Sequence, residues 1–157
     1  MRTPETAIAL IKQFEGCNLT AYWDGGVSPE GFGIGKLTIG YGSTRDVCEG
    51  MTITQEEAEA RLLQDLGEAE TRVLNLVNAP LEDDQVGALV SFVFNIGAGN
   101  FERSTLLSKL NALDYTGAAD EFERWDKVCG RPNEWQLRRR RAERALFSGL
   151  DARKIPA

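Results

Sequence analysis

The sequence predicts an α+β fold, with a small N-terminal β-hairpin wing and a mainly α-helical lobe joined by a long helix. Three observations carry this. Leu19 to Asp24 and Leu37 to Ile39 alternate in strand fashion on either side of a glycine-rich stretch. Ala58, Leu62, Leu66, Ala69, Val73, Leu76 and Val77 recur at spacings of three and four, which predicts one long helix over about residues 55–78. Beyond Pro80 the pattern breaks into shorter helical segments. A chain of 157 residues suits a single domain, 1–157, of two lobes. The wing is expected over about 15–55. The helical lobe is expected over about 55–157, together with a helix over 4–15.

Thr3-Pro4-Glu5 reads as a helix start, with threonine as N-cap, proline first and an acid on the dipole. Ile8, Ile11 and Phe14 repeat at helical spacing, and Gly16 is a natural stop. Glu15 therefore sits in the last helical turn, where the dipole and any apolar packing favour a neutral carboxyl. On the strand that follows, Thr20, Tyr22 and Asp24 share one face, and Leu19, Ala21 and Trp23 the other. Residues 25–36, GGVSPEGFGIGK, predict a turn or extended loop, and Leu37-Thr38-Ile39 resumes the strand.

Thr54-Gln55-Glu56-Glu57 is a capping-box sequence that opens the long helix. Gly67 inside it costs about 1 kcal/mol relative to alanine and reads as a tolerated, exposed position. Residues 82–96 predict the most buried helix, closed by Gly97-Ala98-Gly99. Ser104 starts a short helix to about Leu113, and Thr116 to Trp125 makes another. Arg131-Pro132-Asn133 is read as a turn. A final helix runs from Trp135 to Ser148, with Leu137, Arg141, Ala145 and Phe147 on a mixed face, before a polar tail from Asp151.

The chain contains no histidine, which removes Ser-His-Asp, Cys-His and His-metal chemistry together. Cys17, Cys48 and Cys129 are scattered and form no metal-ligand spacing, so no metal or cofactor is expected and the thiols read as free. A net charge of −6 does not point to nucleic acid. No apolar run is long enough to span a bilayer, and the N-terminus reads as an amphipathic helix, not an export signal. Acid–base work then falls to carboxyls. Two of them on a helix-to-hairpin unit, Glu15 and Asp24, suit glycoside hydrolysis, which needs one protonated and one ionised group. The bland alternative is that both are solvated surface acids, as most such pairs are.

The segment FEGCNLTAYWD and the following LTIGYGST resemble the catalytic segment of the phage-type lysozymes, the endolysins of glycoside hydrolase family 24. The likeness continues through GMTITQEEAEARLLQDL and LVSFVFNIGAGNFERSTLLSKLN, and ends with QLRRRRAERALFSG. These blocks fall in order over nearly the whole chain, whereas a lone pair of acids would be weak. The resemblance implies a lysozyme-like fold with a glycan-binding cleft between its lobes. It also implies hydrolysis, with inversion, of the β-1,4 bond between N-acetylmuramic acid and N-acetylglucosamine of peptidoglycan.

Residue by residue, it implies Glu15 as general acid, Asp24 as the second acid that positions or activates water, and Thr38 as the residue that holds that water. It also implies an arginine of the run 138–141 beside the catalytic glutamate, with Arg139 or Arg141 favoured, and Asn95 as a cleft residue. One departure stands out. Thr38 follows Asp24 by fourteen positions, later than the family pattern, because GGVSPEGFGIGK intervenes. A longer hairpin would absorb this at little cost in free energy. The expected partner is the peptidoglycan glycan strand, met by a monomer without stable membrane insertion. Synthesis is expected in a host cytoplasm, with release to the wall through a holin-type pore. A lytic transglycosylase and a non-catalytic glycan-binding module of a phage particle are the alternatives.

Overall fold

Helix α1 spans Glu5–Glu15, and its proline does the work expected of a first turn: the Pro4 carbonyl accepts from the amides of Ala7 and Ile8. Thr3 does not act as the expected cap. Its hydroxyl donates instead to Glu70, 2.6 Å away, and the Glu70 carboxylate also accepts the Arg2 and Thr3 amides. A carboxylate acceptor bonds more strongly than the helix amides the threonine would otherwise cap.

The structure, a computed structural model, describes residues 1–28 and 31–150. The predicted tail from Asp151 lies outside the described residues. The chain divides into two compact units. One comprises 12–65, the other 1–11 together with 66–157. The division falls within α1 and within the long helix α2, Gln55–Leu76. It passes just before Gly67, whose added Cβ would meet open space.

In the first of these units, strand β1, Asn18–Asp24, pairs antiparallel with β2, Lys36–Gly40. The register is Tyr22↔Thr38, Trp23↔Leu37 and Asp24↔Lys36, with an irregularity between Asn18 and Tyr22. A third extended segment adds on. Thr20 bridges Thr52, the Ala21 amide donates to the Met51 carbonyl, and the Ile53 amide donates to Leu19. The glycine-rich stretch is a hairpin extension, not an open loop. Val27 bridges Gly33 in the register of the strands below, and the Ile34 amide donates to Gly26. At the tip the Gly31 amide donates to the Ser28 carbonyl, and the Ser28 amide to Phe32. The extension bends back, so that a Cβ on Gly33 would fall within the indole ring of Trp23. Helix α2 opens with the predicted capping box: the Thr54 amide donates to Glu57, and the Glu57 amide to the Thr54 hydroxyl. Ile39, Tyr41, Ile53, Ala58 and Leu62 are this unit's buried apolar residues.

In the other unit α3, Asp83–Ile96, is buried continuously from Val86 to Val93, as its apolar surface predicts. Gly87 lets the first turns of α1 approach, since a Cβ there would strike Ala7 and Pro4. Phe92 is the centre of an aromatic cluster with Phe101, Phe122 and Trp125 in edge-on contact. Trp125 is therefore a packing residue. The predicted cap at Gly97 holds, but Ala98–Glu102 then forms a short helix, α4, that periodicity did not foresee. Helix α5, Thr105–Asn111, is capped by Ser104, and α6, Tyr115–Glu121, runs into a 3-10 turn over Phe122–Arg124.

The turn expected at Arg131-Pro132-Asn133 is corrected to a hairpin. Strand β3, Lys127–Val128, pairs with β4, Arg131–Pro132, and Cys129 and Gly130 between them both have positive φ. Asn133 then caps α7, Glu134–Phe147. The mixed face of α7 is also corrected. Arg139, Arg140 and Glu143 are buried with Ala145, Leu146 and Phe147, while Arg141 is exposed. The three cysteines are exposed free thiols, and no helix among the described residues is long and apolar enough to cross a membrane.

Candidate active site

Glu15, Asp24 and Thr38 all belong to the unit 12–65. Glu15 is the last residue of α1, as predicted, and Gly16 leaves the helix with φ of 66°. Its carboxylate lies against the turn after β2, with Oε2 3.7 Å from where a Gly42 Cβ would stand. Below it Lys12 pairs with Glu59 at 2.9 Å and stands over the Tyr41 ring, whose hydroxyl accepts from Gln55. The hydrogen bond from Lys12 holds the Glu59 carboxyl below its ordinary range, helped by a second from Gln55.

Asp24 ends β1 and is exposed, opposite Lys36. Thr38 stands opposite Tyr22, one step along the same face, so Asp24 and Thr38 are diagonal neighbours of the ladder. The hairpin extension thus absorbs the long spacing between them, as the loop-length argument expects. Thr38 is 3% exposed, and its hydroxyl donates to the Lys36 carbonyl at 3.1 Å.

The residue that sequence reading left unassigned is Tyr22. Its phenol is pushed above its ordinary range by burial, then by the negative charge of Asp24, with a smaller push from Glu15. A hydrogen bond from Asn18 opposes these. The two acids therefore both act on one ring. The signal was present in the alternation that put Tyr22 on the Asp24 face, but alternation does not reveal that the charge of Glu15 also bears on the phenol.

In the other unit Arg139 is buried. Its guanidinium pairs with Glu143 at 3.1 Å and donates to the Ser91 carbonyl, while the Ser91 hydroxyl donates to Glu143 at 2.7 Å. Arg141 pairs with Glu123 at 3.2 Å. Asn95 meets Arg140, the arginine not singled out, whose Nη2 donates to its side-chain oxygen at 2.7 Å. Arg140 also lies 4.9 Å from the Phe92 ring centre and 3.3 Å from Glu143. The burial of Glu143 between two arginines was not foreseen, because one helix's periodicity does not show which neighbour waits on each face.

A carboxyl at a helix end, a second on the adjoining strand and an acceptor hydroxyl across from it are the groups that acid-assisted attack by a held water requires. The architecture is that of the lysozyme-like enzymes. A variant of the lysozyme of Salmonella phage P22 matches it with a TM-score of 0.80 and 39% identity, over 94% of this chain and 99% of that one. The muramidase domain of SpmX from Asticaccaulis excentricus matches with a TM-score of 0.79 and 36% identity, over 92% and 95%.

This chain belongs to the phage lysozyme family, whose sequence profile matches residues 12–144. It is also 41% identical over 151 residues to the endolysin of Acyrthosiphon pisum secondary endosymbiont phage 1, covering 94% of this chain and 98% of that protein.

Proposed function

We propose that this chain is an endolysin that hydrolyses the β-1,4 bond between N-acetylmuramic acid and N-acetylglucosamine of peptidoglycan, and that it inverts the anomeric centre. The observation that carries this reading is the return of Thr38 to the Asp24 face by the hairpin extension. In the proposed mechanism Glu15 protonates the leaving oxygen. Asp24 accepts one proton of a water molecule. Thr38 has its own proton committed to Lys36, so it presents only lone pairs and accepts the water's other proton. The water's free lone pair is then aimed at the anomeric carbon from the side opposite Glu15. An inverting route needs the carboxyls about 6.5–9.5 Å apart, to leave room for that water. The protein acts as a monomer, made in the host cytoplasm and reaching the wall after holin-type release.

Clearing of chloroform-permeabilised cells tests the reading. Wild type should clear them, and Glu15→Gln should slow clearing by about 10²–10⁴-fold, as loss of a general acid does. Wall binding without clearing, unchanged by Glu15→Gln, would replace hydrolysis with a binding role. Mass spectrometry of the products should show reducing muramyl ends. Anhydro-muramyl ends would overturn hydrolysis in favour of transglycosylation.

A further inference from the structure

We propose that Tyr22 is a further substrate-contacting residue of this site, its phenol hydroxyl donating a hydrogen bond to an oxygen of the saccharide held between Glu15 and Asp24. The proposal rests on the glycan reading above and on the geometry of the β1–β2 ladder. Tyr22 stands opposite Thr38 on the ladder and two residues before Asp24, so all three side chains share one face. Tyr22 is 38% exposed, although it stands opposite a threonine that is nearly buried. A tyrosine kept only to cover the sheet would place its ring over that neighbour and gain nothing from its hydroxyl.

The Asn18 side chain favours the ionised form of the phenol, as a group donating towards its oxygen does. The phenol's own proton has no acceptor among the described residues, and so is available to a ligand. The two nearby carboxyls keep that proton in place, since burial and the charges of Asp24 and Glu15 raise the phenol's ionisation above its ordinary range. The group is therefore a neutral donor at any pH where the two acids could work. A saccharide, which offers hydroxyl and carbonyl oxygens and no charge along its backbone, suits such a donor. A cation would be drawn to the carboxyls instead, and an anion would be repelled by them.

Tyr22→Phe is the deciding variant, because it keeps the ring, the strand pairing and the packing, and removes one oxygen. On purified wall, kcat/KM should fall about five- to tenfold, the worth of one neutral hydrogen bond, with the thermal midpoint unchanged. Activity within twofold of wild type would overturn the proposal. A second measurement does not depend on turnover. In protein carrying 13C-labelled tyrosine, Glu15→Gln and Asp24→Asn should each lower the pH at which Tyr22 ionises. A soluble peptidoglycan oligosaccharide added to Glu15→Gln should shift the Tyr22 signal and leave that of Tyr115 in place. A Tyr22 signal indifferent to both acids or to the oligosaccharide would also overturn it. If wild type cleared no wall at all, the glycan reading itself would fall, and the response of Tyr22 to the two acid variants would still report its place between them.

Discussion

Thr38 gives its only proton to the Lys36 carbonyl, so what remains for a ligand is an acceptor. That predicts a sharp difference between two small substitutions. Thr38→Ala should lose about a hundredfold or more in wall hydrolysis, as removal of one preorganised hydrogen-bonding group does, while Thr38→Ser should recover most of it. Equal rates for Thr38→Ala and wild type would show that another group holds the water. Glu143 is a different kind of residue. It is fully buried between Arg139 and Arg140 and accepts from Ser91, so its partners have no water to fall back on. Glu143→Ala should destabilise the protein by about 3–5 kcal/mol in urea unfolding, most of it from the arginines left behind. Replacing all three charges with apolar residues of like volume should cost less than the single change, and urea unfolding of the triple and single variants side by side would measure this. Glu15 could be placed from sequence because Gly16 marks the helix end. Arg139 and Arg140 could not be told from Arg138 and Arg141, since consecutive helical residues point in four directions and only a neighbouring helix decides which are buried.

The elements differ in how far local chemistry governs them. Helix α2 begins where its capping box says, and α3 is buried where its apolar surface says. Ser104 caps α5 by accepting from the Leu107 amide at 3.1 Å. Ser104→Ala should therefore cost about 1 kcal/mol, read as a lower urea midpoint with unchanged slope. The hairpin extension is governed at longer range. Its glycines announce a turn, but its course depends on Trp23, which lies over Gly33 and donates to Glu49 at 3.3 Å. Gly33→Ala should displace the ring and cost about 1–3 kcal/mol, the usual penalty of overpacking. An unshifted Trp23 fluorescence in that variant would count against the contact. The strands of the β3–β4 hairpin are two residues each, too short to show alternation, so the sequence there signals only a turn.

At the scale of the whole molecule, acid stability follows from two carboxylates that hold distant parts of one unit together. Burial alone would raise the ionisation of Glu70, but hydrogen bonds from Thr3 and Arg2 and the N-terminal charge outweigh it and hold Glu70 below its ordinary range. Burial also opposes ionisation of Glu123, and the hydrogen bonds of Arg144 and Arg141 outweigh it. Since each folded value lies below the unfolded one, the unfolded chain binds more protons as pH falls. Their stabilisation is thus full above about pH 4.5 and is lost as pH drops through the folded values. Urea midpoints should decline on acidification through that window, and Glu70→Gln should flatten the decline. A slope unchanged by Glu70→Gln would remove it as a cause. The sequence alone determined the class of fold, the helix starts at Thr54 and Ser104, the helix end that carries Glu15 and the strand face that carries Asp24. These depend on residues within a turn or two of one another, so a local pattern contains them. Only tertiary structure decided that Thr38 returns to the Asp24 face across a long insertion, that both acids act on Tyr22, and that Arg139 and Arg140 are the arginines turned inward around Glu143. Each of these depends on a partner distant in the chain, and no local periodicity encodes where such a partner will stand.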